Sequence, residues 1–191
     1  EIRRLYFDNC PLTPDAYAQI GACRQLVTLA LRATDVSDAD MVHIGKLESL
    51  DMLMLAPSKV TLQGMQHLKS LREMKTLGWS FTPGKGEVEL PELARIFPGL
   101  MKFEFKEFEY TRADVAALQA FKKLVSLQFL GAIVTDDMVG SVTELKQLTT
   151  LAATFCPKVS DEALAQVAQH KGLVDVTFGS STSKISDAGL L

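Results

Sequence analysis

The sequence predicts an α/β solenoid: about eight stacked units, each a strand, a bend, a short helix and a return, building a parallel sheet backed by a row of helices. Three observations predict it. An apolar residue followed three and five positions later by two more recurs along the whole chain, starting at residues 2, 26, 50, 74, 100, 124, 148 and 173, which gives spacings of 24, 24, 24, 26, 24, 24 and 25. After most of these triplets comes an apolar residue followed by a hydroxyl. Beyond the hydroxyl, apolar residues fall at every third position.

The triplets are Ile2/Leu5/Phe7, Leu26/Leu29/Leu31, Leu50/Leu53/Leu55, Met74/Leu77/Trp79, Leu100/Phe103/Phe105, Leu124/Leu127/Phe129, Leu148/Leu151/Ala153 and Leu173/Val176/Phe178. The alternation at their ends is that of a strand with one buried face. Next come the bends Leu12-Thr13, Val36-Ser37, Val60-Thr61, Tyr110-Thr111, Val134-Thr135, Val159-Ser160 and Ile185-Ser186. A hydroxyl there is an N-cap, and the Asp that often follows (Asp38, Asp136, Asp161, Asp187) suits the positive first turn of a helix. Met41/Ile44/Leu47, Met65/Leu68/Leu71, Val115/Leu118/Phe121 and Val139/Val142/Leu145 then form the inner stripe of short helices. One unit cannot bury its own apolar face, so neighbours must stack and share a continuous core.

The pattern LxxLxL followed by an Asn, Cys or Thr slot, an apolar residue and S/T-D resembles the leucine-rich repeat, over essentially the whole chain. The 24-residue units with V-S/T-D look most like bacterial members, and Cys156-Pro157-Lys158-Val159-Ser160-Asp161 is similar to the cysteine-containing subtype of F-box adaptors. The resemblance implies one leucine-rich-repeat domain over residues 1–191, a right-handed horseshoe with the sheet concave and the helices convex. It also implies that a slot two residues before the bend apolar residue hydrogen-bonds backbone of the neighbouring turn. That slot holds Cys10, Thr34, Ser58, Thr82, Phe108, Ala132, Cys156 and Ser181; Phe108 and Ala132 cannot make such a bond, so irregular turns are expected in the fifth and sixth units. In the fourth, Pro83-Gly84-Lys85-Gly86-Glu87 reads as an insertion between strand and helix, a tolerated surface loop or a binding edge.

Composition sets further bounds. Of 191 residues, 47% are hydrophobic, enough for a substantial core. Twenty basic against 23 acidic residues give a formal charge of −3 with no long single-sign run, which argues against a nucleic-acid groove or a polybasic membrane surface. No run of 18 apolar residues suggests membrane insertion, and the first residues do not form a leader. The expectation is a soluble protein. Three widely spaced cysteines fit a reducing compartment such as the cytoplasm. Because the chain begins without Met and stops within a repeat, a section of a longer protein is expected, from which targeting signals could have been lost.

Chemistry-bearing motifs are sparse. Gly84-Lys85-Gly86 is not a phosphate loop, and neither GxSxG nor HExxH occurs. His43 and His67 share one position in consecutive units, as polar residues of the outer helix row, without a third metal ligand. His170 stands where other units carry Leu47, Leu71, Phe121 and Leu145, which predicts a partly buried structural histidine. No cofactor and no catalytic residue are expected.

Function is then left to the outward strand positions. They form one row of Arg4, Thr28, Met52, Thr76, Lys102, Ser126, Thr150 and Asp175, a second of Tyr6, Ala30, Met54, Gly78, Glu104, Gln128, Ala152 and Thr177, and a third of Asp8, Arg32, Ala56, Ser80, Lys106, Leu130, Thr154 and Gly179. Eight strands spaced at about 4.8 Å span roughly 35 Å, enough for a protein interface. Tyr6, Arg32, Met52, Met54 and Leu130 have the bulk of anchors, while Lys102, Glu104 and Lys106 supply charge that sets register. The expected role is a non-catalytic module that binds a protein partner through this face and its edge loops. The alternatives are the substrate-recognition arm of a ubiquitin-ligase-type adaptor and an enzyme with a site on the open face.

Overall fold

The computed structural model describes residues 2–55, 58–79, 86–106, 110–131, 134–179 and 184–186. Eight strands, β1 (Arg4–Asp8), β2 (Thr28–Arg32), β3 (Met52–Met54), β4 (Thr76–Gly78), β5 (Lys102–Lys106), β6 (Ser126–Leu130), β7 (Thr150–Thr154) and β8 (Asp175–Gly179), form one parallel sheet in sequence order. Between them run α1 (Pro14–Ala22), α2 (Met41–Ile44), α3 (Leu62–Met65), α4 (Gly86–Ile96), α5 (Arg112–Ala116), α6 (Asp136–Val142) and α7 (Asp161–Val167). Short 3-10 turns extend α3 and α5 at Gln66–Leu68 and Ala117–Ala120. Each strand pairs with the next one unit on, so Arg4, Thr28, Met52, Thr76, Lys102, Ser126, Thr150 and Asp175 lie side by side. That is the first outward row, and it sets an α/β solenoid of leucine-rich-repeat type.

The core lies between sheet and helices. Leu29, Leu53, Leu77, Phe103, Leu127 and Leu151 from the strands meet Ile44, Leu68, Leu118 and Val142 from the helical stripe, all essentially inaccessible to water. In the fifth and sixth units aromatic rings replace leucines: Phe105 stacks on Phe129 with centroids 5.1 Å apart and meets Phe103 and Tyr110 edge-on, both at 4.7 Å. Trp79 is buried and donates its indole N–H to the Val60 carbonyl at 2.9 Å.

Five of the bend hydroxyls accept a backbone N–H in the first turn that follows them: Thr13 from Ala16, Thr61 from Gln63, Thr111 from Asp114, Thr135 from Met138 and Ser160 from Glu162. Thr111 and Asp114 close a full capping box. Ser37 departs from this. The regular part of α2 begins only at Met41, and the Ser37 N–H and hydroxyl both donate to the Asp40 carboxylate, at 3.0 and 2.8 Å, across a preceding turn.

The Asp after the bend hydroxyl does more than face a helix dipole. Asp38 receives both the N–H and the hydroxyl of Thr61 in the next unit, each at 2.7 Å. Asp136 takes the same pair from Ser160 at 2.8 and 2.5 Å, and Asp161 from Ser186 at 2.7 Å each. Each carboxylate thus clamps its neighbour's bend through two charge-assisted bonds. Where the place after the bend hydroxyl holds Pro14, Leu62 or Arg112 in the Asp's stead, it supplies no carboxylate for this clamp. At the junction of the fifth and sixth units an exposed ion pair stands in, Arg112 to Asp137 at 2.9 Å.

The slot expected to bond the neighbouring turn behaves differently. Thr34 donates to the Leu31 carbonyl of its own unit at 3.2 Å, the Ser58 hydroxyl accepts the Val60 N–H at 3.4 Å, and the Cys156 thiol lies 3.4 Å from the Thr154 carbonyl. These contacts brace their own turns, and the cross-unit bonds described above belong to the Asp after the bend hydroxyl. Thr82, Phe108, Ala132 and Ser181 lie outside the described residues, as does most of the expected insertion. Its last two residues, Gly86 and Glu87, are not loop: they open α4, the longest helix at 11 residues.

Two outcomes follow from the clamps. Asp136→Ala should cost about 1–2 kcal/mol in urea unfolding, because two bonds to a charged acceptor are lost. Arg112→Ala, at an exposed pair, should cost less than about 0.5 kcal/mol. The Ser186 backbone N–H, followed by its hydroxyl, holds the Asp161 carboxyl below the ordinary carboxylate range. A group depressed on folding contributes stability that is fully present above its unfolded pKa and is lost as pH falls through the folded one. Thermal melts of Asp161→Asn should therefore show a shallower loss of Tm below about pH 4 than the parent protein, with the two curves parallel at neutral pH.

Candidate functional site on the open sheet face

The sheet's outward rows are fixed by register, but the side chains on them differ in what they offer. Tyr6 stands out from β1, 64% exposed. Arg32, Met52 and Leu130 are half-buried, Lys102 and Gln128 are exposed, and Glu104 is half-buried. Lys106 pairs with Leu130 through the backbone, and its side chain is outside the described set. The candidates fall into two groups: Tyr6, Arg32 and Met52 on β1 to β3, and Lys102, Glu104 and Leu130 on β5 and β6. Between them β4 presents only Thr76 and Gly78.

Met54 is not the free anchor that its outward position suggests. It is 6% exposed, and its thioether occupies the space over Gly78, where an added Cβ would come within 2.7 Å of the sulfur. A glycine in the next strand leaves a gap on the sheet surface, and a long flexible side chain lies down into it. Ala30 and Ala152, in the same row, are also covered. The middle of the face is thus closed by its own side chains. Arg32 carries a buried Nε without a hydrogen-bond partner, although register places it beside Asp8.

One exposed aromatic was not anticipated. Phe155, in the turn after β7, is 68% exposed with φ 57°. The equivalent turns hold Asn9, Ala33 and Gly131 at φ 49°, 48° and 66°, so the left-handed bend is a property of the repeat. Asn and Gly adopt it readily; a bulky aromatic does so at a cost. The sequence signal was an aromatic in that turn slot, and it is legible only once the slot's backbone is known. Phe155 and Leu130 lie on one edge of the face, at adjacent units.

The titratable groups elsewhere have structural roles. Burial pushes the Tyr17 phenol above its ordinary range. His170 is 6% exposed; its Nδ1 accepts the N–H groups of Gly172 and Leu173, both at 3.1 Å, which puts the ring proton on Nε2, 2.9 Å from the Leu145 carbonyl of the preceding unit. Where other units place an apolar stripe residue, this ring ties two return turns together. His43 is half-buried and His67 exposed on the helix row. Cys10 and Cys23 are free thiols, and Cys156 is buried. Among the described residues no group of three His, Cys, Asp or Glu side chains is placed to hold a metal ion, and no helix is long and apolar enough to cross a membrane.

An in-register parallel sheet with one open face, backed by short capped helices at a 24-residue period, defines the leucine-rich-repeat fold. Solved structures agree. The chain is similar to TLR13 in its complex with ssRNA13, at 13% identity and a TM-score of 0.52 over 87% of this chain and 23% of that one. Weaker likenesses are to an internalin (inlF) from Listeria monocytogenes (14% identity, TM-score 0.46, 96% of this chain and 66% of that one) and to the plant peptide hormone receptor RGFR1 in complex with RGF2 (13%, 0.40, 90% and 27%). The chain thus spans about two-thirds of the internalin and about a quarter of the two receptor structures. No family model and no curated protein matches the sequence.

His170→Leu restores the stripe residue of the other units yet leaves the Gly172 N–H without its acceptor and removes one bond to the Leu145 carbonyl. The expected outcome is a loss of about 1–2 kcal/mol in urea unfolding, where burial of apolar surface alone predicts a gain.

Proposed function

We propose that this chain is a non-catalytic recognition module that binds a protein partner across the open sheet face. The observation that carries the reading is the placement of side chains on that face: Tyr6 projects into solvent from β1, Lys102 and Gln128 project from the adjacent strands β5 and β6, whose register is fixed, and Leu130 lies one unit from Phe155 at one margin. A rigid sheet holds such groups at little entropic cost on binding, which is what an interface requires. Bulky groups at Tyr6 and Phe155 are of the type that anchors protein interfaces. The middle row, closed at Ala30, at Met54 over Gly78 and at Ala152, serves as a smooth floor beside the projecting residues.

The support is architectural, from the fold and from what is exposed on it. The likeness to TLR13 in its complex with ssRNA13, at 13% identity, lends the fold alone. A photo-crosslinking residue at Gln128, in the middle of the open face, should capture a partner protein in the native lysate. The same residue at Val42, which is exposed on α2, should not. Capture from Val42 with none from Gln128 would move the interface to the helices and reject the reading.

A further inference from the structure

The linear sequence shows no basic run because the lysines are about one repeat apart, and stacking brings them together. Lys122 and Lys123 lie in the return from the fifth unit, Lys146 in the next and Lys171 in the one after; Lys102 opens β5 beside them. All five are exposed, and among the described residues none of them forms an ion pair. Lys122 and Lys146 donate only to neutral carbonyls, those of Gln119 and Thr143, at 2.9 and 2.7 Å. Nearby, Glu144 is engaged by the Gln119 amide at 2.6 Å. The bend edge of the same units is mainly acidic, with Asp136, Asp137, Asp161 and Glu162 against Arg112 and Lys158. The two edges of this half of the solenoid are therefore oppositely charged.

Helix ends explain part of this, since cations are favoured near C-termini and anions near N-termini. They do not explain the pair Lys122-Lys123 or Lys102, which stands on the sheet. Like charges on adjacent units repel one another, and on these return turns the described carboxylate is Glu144, one against four lysines. In the first half of the chain the same edge is mixed: Arg3, Arg24, Lys46, Lys69, Arg72 and Lys75 are interspersed with Glu48, Asp51 and Glu73.

We infer that the return-turn edge of the fifth to seventh units docks an acidic segment of the partner protein, lying along Lys102, Lys122, Lys123, Lys146 and Lys171. This deepens the protein-binding reading and rests on it. Turns of successive units are separated by a distance between the strand spacing of about 4.8 Å and the helix spacing of about 8–10 Å, so the three turns span roughly 10–20 Å. An extended segment of about 3–6 residues covers that length. Its carboxylates would meet the lysines at the margin of the open face, while the acidic bend edge repels the same segment and so fixes which side it takes.

The test uses a fluorescein-labelled oligo-glutamate peptide as probe, titrated by anisotropy at low and physiological salt. Binding should weaken with salt and fall at least about tenfold in Lys122→Glu/Lys123→Glu/Lys146→Glu/Lys171→Glu. Because Lys122 and Lys146 also cap carbonyls, Lys123→Glu/Lys171→Glu provides a second variant that leaves those bonds intact; it should show a smaller loss in the same direction. The control Arg3→Glu/Lys75→Glu should change affinity less than about twofold. Equal loss in the control, or no loss in either lysine variant, overturns the inference. So does binding of oligothymidylate in place of oligo-glutamate, which would make this edge a nucleic-acid surface. If the Gln128 crosslink persists undiminished in a lysine variant, the acidic-segment inference falls while the protein-binding reading stands.

Discussion

Leu29 is excluded from water because Leu5 and Leu53 stand beside it, one unit away on either side, and the same relation repeats through Leu77, Phe103, Leu127 and Leu151. A strand of three to five residues with one short helix has too little apolar surface to offset the entropy of ordering it. Its burial is supplied by its neighbours, so in-register stacking is the constraint on which everything else in this protein rests. A slip of one residue between two strands would turn every inward leucine outward. The bend chemistry, helix caps and return turns can all be understood as devices that hold neighbouring units at one register.

Those devices are not uniform, and their variety reflects what each junction must satisfy. Asp38, Asp136 and Asp161 clamp the bend of the following unit, with hydroxyl and N–H bound to one carboxylate. Arg112 and Asp137 achieve a looser link through an exposed ion pair, and His170 secures the opposite edge through three backbone groups. In the fifth and sixth units the stacked Phe105 and Phe129 rings take over from leucines. Polar groups at the two edges and apolar groups between them act on the same junction, which makes stability a nearest-neighbour property along the solenoid.

The division of labour leaves the exposed outward side chains of the sheet outside the core. Residues there can vary without disturbing the core, and a rigid backbone presents them at fixed spacing. The open face is partly closed by its own side chains, as Met54 shows over Gly78, so the proposed recognition would draw on its margins, where Tyr6, Leu130 and Phe155 project or lie half-exposed. The charged edges sit outside these margins, where they can steer an approaching partner before contact.

How much of this was written in the sequence follows from what the period encodes. Inward triplets, bend hydroxyls and helical stripes are local patterns, each decided within a few residues by the pleat of a strand, the orphan N–H groups of a helix start and the 3.6-residue turn; they were legible, and so was the row to which each outward residue belongs. What a residue touches one unit away was not, because it depends on a neighbour about 24 positions distant and differs from junction to junction. The Asp after Ser160 and the Asp after Thr135 look alike as helix-start residues, yet only contact with the next bend shows that they are clamps. Met54 reads as exposed until the adjacent strand proves to carry glycine, and Phe155 reads as one more apolar residue until its turn proves left-handed. The lysines of the return edge are scattered along the chain, and it is the stacking of units that gathers them into a charged surface.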